Sequence, residues 1–258
     1  MIFSLIRLRY QLLWAQSRTS GGKTALLLAA YIFGGLIFLF FSLGGIGTAV
    51  IGVQSGRGEE IARWILSGLF FGGIFMSLTL GIGPRLAFSD KVLRRYPLSS
   101  ISRLAARHLI GLLDPNWLLL LAIVLGIAIG FATLGVGSFF IGLPTVLVFI
   151  IVTYLTSVVL LVLIDRVLQY KAGTVILGGF MVLLFAIPGI IVPYFAHHAK
   201  NPVWGHALNQ TLRFLPPGIA ATLLIGPSFT IGLFGILILI GWSAALAYAL
   251  LALERRPV

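Results

Sequence analysis

FFIGLPTVLVFIIVTYLTSVVLLVLI, residues 139–164, carries no charged side chain from one end to the other. A helix needs roughly 20 predominantly apolar residues to cross a bilayer core of about 30 Å, and this run is long enough. It is continuous rather than alternating, so a strand of a membrane barrel does not explain it. Further runs of the same kind occupy residues 24–53, 64–84, 117–134, 172–195 and 229–253. Backbone amides left unpaired in hydrocarbon are too costly, so the spans must be helical. The fold class expected is therefore all-α, a polytopic membrane protein with six transmembrane helices. The run at 24–53 far exceeds the roughly 7–15 apolar residues of a cleavable signal peptide and reads as a retained anchor.

Composition agrees. Hydrophobic residues make up 59% of the chain and charged ones 9%, with a mean hydropathy of +1.11, far outside the range of soluble domains. The formal net charge of +12 is spread over membrane-flanking loops instead of being massed in one soluble domain, which argues against nucleic acid as a partner. The chain has no cysteine, so disulfides and thiolate metal sites are excluded.

The basic residues decide orientation, because their excess stays in the cytoplasm. Arg7, Arg9, Arg18, Lys23, Arg85, Lys91, Arg94, Arg95, Arg103, Arg107, Arg166, Lys171, Arg255 and Arg256 fall on one side, and only Arg57, Arg63, Lys200 and Arg213 on the other. Both termini are expected in the cytoplasm, as an even number of spans requires.

Residues 1–258 read as a single transmembrane domain with three distinctive segments. Residues 1–23 mix Ile2, Phe3, Ile6, Tyr10, Leu13 and Trp14 with Arg7, Gln11 and Arg18 at helical spacing, which suits an interfacial helix in the headgroup plane. Residues 85–116, RLAFSDKVLRRYPLSSISRLAARHLIGLLDPN, form the largest cytoplasmic loop. There Ser89 can cap a short helix with Asp90 in its first turn and Arg94 and Arg95 near its end, until Pro97 stops it. A second helix could follow, with Ile101, Leu104, Ala105, His108 and Leu112 on one face. Residues 196–228 contain Pro202, Pro216, Pro217 and Pro227, and the apolar stretch 218–225 is too short to span. A folded extracytoplasmic cap or re-entrant pair is expected there.

Chemical motifs are few. Gly22-Lys23-Thr24 resembles the end of a phosphate-binding loop, but the pattern wants glycine at position 17, where this chain has Ser17. Glu59, Glu60 and Arg63 resemble the E-E-x-x-x-R pattern of CAAX-type intramembrane proteases, except that the arginine position falls on Trp64. His197, His198 and His206 sit in a proline-containing stretch that presets no coordination geometry. Thr145, Thr153, Thr156 and Ser157 could line a translocation path, or could bond to their own helix backbone. Gly68 with Gly72, and Gly126 with Gly130, give small faces that permit close helix approach. Asp114 and Asp165 fall at span ends, so no acidic group lies deep in a span. Ion-coupled carriers usually keep one there. If the chain transports, its energy is expected from a partner.

This arrangement resembles the permease subunit of a type-2 ABC (ABC-2 type) exporter. The resemblance rests on the N-terminal interfacial helix, six spans, a cytoplasmic loop between the second and third, and an outer re-entrant segment before the sixth. Asp90-Lys91-Val92-Leu93 leading to Pro97-Leu98-Ser99 is similar to that family's loop before its third span, and Leu215-Pro216-Pro217-Gly218 is similar to its outer motif. By that resemblance Ser89, Asp90, Lys91, Leu93, Arg94, Arg95 and Tyr96 belong to a coupling helix that fits a cleft in a separate cytosolic ATP-binding-cassette ATPase. ATP and Mg would be bound by that partner, with no cofactor, metal or catalytic residue in this chain. The resemblance further implies a second permease half, identical or homologous, and a bacterial inner or cell membrane location. One departure from that family is that the sequence ends at Glu254-Arg255-Arg256-Pro257-Val258, just past a span, where many such permeases are longer, and one half of a longer, fused permease is a further expectation. The alternatives weighed are a CAAX-type protease-like membrane enzyme and an assembly or scaffold protein without transport.

Overall fold

The computed structural model describes residues 21–80, 108, 111–112, 114–169, 210–226 and 228–255. They form helices α1 (Gly21–Gln54), α2 (Gly58–Leu80), α3 (Pro115–Thr133), α4 (Phe139–Leu168), α5 (Pro216–Leu224) and α6 (Phe229–Arg255). Among the described residues, five helices are long and apolar enough to cross a membrane: Ile32–Gln54, Gly58–Leu78, Asn116–Thr133, Phe139–Leu168 and Phe229–Leu253. The chain is thus an all-α, polytopic integral membrane protein. The expected span 172–195, residues 1–20 of the expected interfacial helix and residues 81–107 of the loop expected in the cytoplasm lie outside the described residues.

Local chemistry sets the helix starts. Asp114 caps α3: its backbone is extended and its carboxylate accepts the Asn116 N–H at 3.1 Å. Pro115, which has no N–H to satisfy, opens the helix. α2 begins at Gly58, six residues before the apolar run at 64–84, with Glu59 and Glu60 in its first turn. Charged residues expected in a loop are helical because carboxylates at an N-terminus are favoured by the aligned peptide dipoles. Two tight turns follow helix ends in the left-handed region that suits glycine, at Gly56 (φ 65°) between α1 and α2 and at Gly135 (φ 75°) between α3 and α4.

The spans pack as a bundle in which α1 and α3 run one way and α2, α4 and α6 the other. α2, α3 and α4 each bury 44% of their most apolar window, against 17% for α1 and 11% for α6, which therefore flank the bundle. Phe70 of α2 meets Phe149 of α4 with ring centroids 6.3 Å apart, and Leu66, Ile127, Phe131, Leu223 and Leu224 join them in one core. Phe33, Phe40 and Phe234 instead face outward from α1 and α6, as lipid-facing residues do.

α1 lies on α3 through glycines. A Cβ at Gly126 would collide with the Ser42 carbonyl oxygen, and one at Gly130 would come within 2.6 Å of the Ala49 Cβ. The small face at Gly126 and Gly130 thus does permit close helix approach. The pair Gly68 and Gly72 does not behave this way: a Cβ at either would meet nothing within 4 Å. Both point away from the bundle, because the buried side of α2 is set by Ala62, Leu66, Phe70 and Ile74.

The bundle has two distinct ends. The α1–α2 turn, the α3–α4 turn and α5 share one, called here the turn end. The start of α3 and the last turns of α4 and α6 share the other, where Arg166 of α4 donates to the Leu253 carbonyl of α6. α4 therefore finishes at the end opposite to the one where α5 sits.

Candidate functional site

At the turn end a short helix and a long one are tied by a single carboxylate. α5 starts with Pro216 and Pro217 in positions where a missing N–H costs nothing. Gly218 follows, and a Cβ there would collide with the Leu212 carbonyl oxygen and come within 2.7 Å of the Arg213 Cα. Only glycine lets residues 212–213 fold back so tightly over the start of α5. The consequence is placement: Arg213 and Thr222 reach the same point of α2. The Thr222 hydroxyl lies 3.1 Å from Glu59 Oε1 and 3.2 Å from the Gly218 carbonyl, sharing its proton between them. Arg63, one turn along α2 and only 4% exposed, forms an ion pair with the same Glu59 oxygen. The Arg213 guanidinium stands 3.6 Å from it.

These groups border an open recess of about 280 Å³ lined by Gly56, Arg57, Gly58, Glu59, Glu60, Arg63 and Arg213. Three guanidinium groups face two carboxylates there, so the recess carries a positive balance. Leu215, Pro216, Pro217 and Gly218, expected to form an outer motif, make the turn that brings α5 and Arg213 to α2. The fold behind them is dry: Pro216, Pro217, Gly218, Ala220, Ala221, Leu223 and Leu224 are all buried.

Toward the opposite end lies a closed cluster, distinct from Arg166 in the last turn of α4. His108 Nδ1 lies 3.0 Å from the Tyr154 hydroxyl. The Tyr154 ring meets the Trp117 ring edge to face, with centroids 5.3 Å apart. Val158 and Leu250 complete the cluster. Gly111 makes room for it, since a Cβ there would collide with the Tyr154 hydroxyl.

The α4 hydroxyls lie between these ends, and each donates to its own helix. Thr145 bonds the Ile141 carbonyl at 2.7 Å, Thr153 the Phe149 carbonyl at 2.8 Å, Thr156 the Val152 carbonyl at 2.8 Å and Ser157 the Tyr154 carbonyl at 2.7 Å. Thr145, Thr153 and Ser157 are fully buried. Ser89, Asp90, Lys91, Leu93, Arg94, Arg95 and Tyr96 lie outside the described residues, as do His197, His198 and His206. Among the described residues no group of three or more His, Cys, Asp or Glu converges on a point that could hold a metal ion.

Thr222, Tyr154 and Trp117 were not singled out by the sequence. Nothing in the local pattern marks Thr222, whose partner Glu59 is 163 positions away. Tyr154 carries a weak signal, a phenol inside an otherwise apolar run, because a buried hydroxyl needs a partner.

Comparison with known protein families, with characterised proteins and with solved structures returns no match. The chain stands on its own geometry as a multi-pass helical membrane protein.

Proposed function

We propose that this chain is the membrane-spanning permease subunit of an ABC-2-type exporter, working with a cytosolic ATPase and a second permease half. The observation that supports it is α5. This helix of 9 residues is too short to cross the bilayer, yet it is buried at the turn end against α2, α4 and α6 immediately before the last span. Non-spanning backbone is tolerated at that depth only where protein receives it, and α5 has such a receptacle. The family resembled by Leu215-Pro216-Pro217-Gly218 carries a re-entrant element at that place in its chain order.

In this reading the turn end faces outward and both termini face the cytoplasm. ATP binding and hydrolysis, with Mg, belong to the partner. The coupling helix around Arg94 and Arg95 transmits closure of the ATPase pair to the spans, shifting the bundle between two states of access. The chain itself carries no catalytic group in this scheme. Thr145, Thr153, Thr156 and Ser157 remain the candidate path residues.

Copurification of the chain with a Walker-motif ATPase is the decisive test. Arg94→Glu combined with Arg95→Glu should abolish that association while leaving membrane insertion intact. Unchanged association and ATP turnover would remove the coupling assignment.

A further inference from the structure

The recess at the turn end has a property that the permease reading does not require. The chain holds its basic residues back from this side: Arg57, Arg63, Lys200 and Arg213 are the only ones the charge bias leaves there. Three of those four line one recess, and they arrive from two segments far apart in sequence. Positive charge on the translocated side opposes the bias that sets topology, so its concentration at one point calls for a ligand or an internal role. One arginine has an internal role, because Arg63 is paired with Glu59. Arg57 and Arg213 are exposed on the rim, facing Glu60 as the remaining carboxylate. At 3.6 Å and on an exposed rim, the Arg213 contact with Glu59 leaves its other N–H donors open to a second acceptor.

We propose that this recess binds a phosphate group, carried by a lipid headgroup of the facing leaflet or by a soluble phosphoester. Guanidinium forks match the oxygens of phosphate in pairs, and two of them approaching from segments far apart in sequence hold it better than one. The recess is open, with a volume of about 280 Å³, and Trp64 and Phe214, which follow Arg63 and Arg213 in the sequence, are exposed. Aromatic side chains at that level mark the membrane interface, where phosphodiesters are concentrated. Glu59 keeps Arg63 and α5 in position, so the recess is shaped before the ligand arrives.

The test uses the purified full chain in a maltoside detergent, with binding read by native mass spectrometry. The probes are dihexanoyl phosphatidylglycerol, inorganic phosphate and dihexanoyl glycerol, which lacks the phosphate. The phosphatidylglycerol should bind and dihexanoyl glycerol should not. Arg57→Gln with Arg213→Gln, which leaves the Arg63–Glu59 pair in place, should weaken binding by about tenfold or more, as loss of two charge-assisted contacts implies. Glu60→Gln should strengthen it by roughly a few-fold, since a like charge is removed. That variant gains binding, so a folding defect cannot imitate it. Displacement of the lipid by inorganic phosphate would show that the phosphate group alone is sufficient, and resistance to it would identify the lipid as the source. Wild-type affinity in the double variant, weaker binding in Glu60→Gln, or equal binding of dihexanoyl glycerol would each overturn the assignment. No ATPase is present in the assay, so its failure leaves the permease reading untouched.

Discussion

At the turn end one carboxylate, Glu59, gathers Arg63, Thr222 and Arg213 beside an open recess. At the opposite end His108, Tyr154 and Trp117 are closed over by Val158 and Leu250. Both ends hold polar groups next to hydrocarbon, but with different physics. The turn end uses charge, partly in contact with solvent, where attraction is screened and each pair can be remade. The closed end uses shape and a buried hydrogen bond between His108 and Tyr154, where a missing group leaves a hole that nothing fills. The closed end should therefore carry more stability per side chain, and the turn end should carry the binding.

The largest effect should come from the closed end. Trp117 is 1% exposed, and Trp117→Ala removes the ring that packs on Tyr154. The cost should be about 3–5 kcal/mol, the range for emptying a buried aromatic site, read as a drop in the SDS midpoint of the solubilised protein. A variant as stable as wild type would mean that the cluster is not a packed core.

Glu59→Ala comes next. It leaves Arg63 buried beside a lost carboxylate and takes an acceptor from Thr222. Breaking a buried pair costs roughly 3–5 kcal/mol, but Glu59 is 36% exposed, so about 2 kcal/mol is expected after allowance for solvent. Because α5 is tied through Thr222, proteolysis near residues 210–226 should quicken in the same variant. Loss of stability without that change would separate Glu59 from α5.

Tyr154→Phe should cost less, about 1 kcal/mol, since it deletes the hydrogen bond to His108 and keeps the ring against Trp117. Double-variant analysis with His108→Ala should show the two effects to be less than additive, because both remove the same bond. Additive effects would place the stabilising role of each residue elsewhere.

How much of this contrast could be read from the sequence differs between the ends. Continuous apolar runs gave the five spans seen among the described residues, since the length of a run is what a bilayer selects. The start of α5 at Pro216 was not read, although its cause is local: two residues without N–H and one without Cβ. The α2 boundary was misplaced because Glu59, Glu60 and Arg63 look like loop residues until Glu59 and Arg63 are seen one turn apart on a helix. Contacts between helices were the least legible. In a membrane span every face is apolar, so hydropathy does not say which face meets which neighbour. Gly126 and Gly130 meet α1, whereas the equally spaced Gly68 and Gly72 meet nothing within 4 Å. The spacing is the same, and only the surrounding bulk of Phe70 and Leu66 turns α2 the other way.

The smallest stability effect is also the sharpest test of the contrast. Arg213 is 59% exposed and 3.6 Å from Glu59, so Arg213→Gln should change stability by less than about 0.5 kcal/mol, as exposed ion pairs do. If the turn end serves binding, the same variant should lose phosphate affinity while its SDS midpoint stays at the wild-type value. A structural role predicts the reverse, a lowered midpoint and an unchanged affinity, because the guanidinium would then be holding residues 212–213 over α5. The two measurements on one variant thus separate a charge kept for a ligand from a charge kept for the fold. Raising the salt concentration should weaken the first and affect the closed cluster less, because His108, Tyr154 and Trp117 are buried.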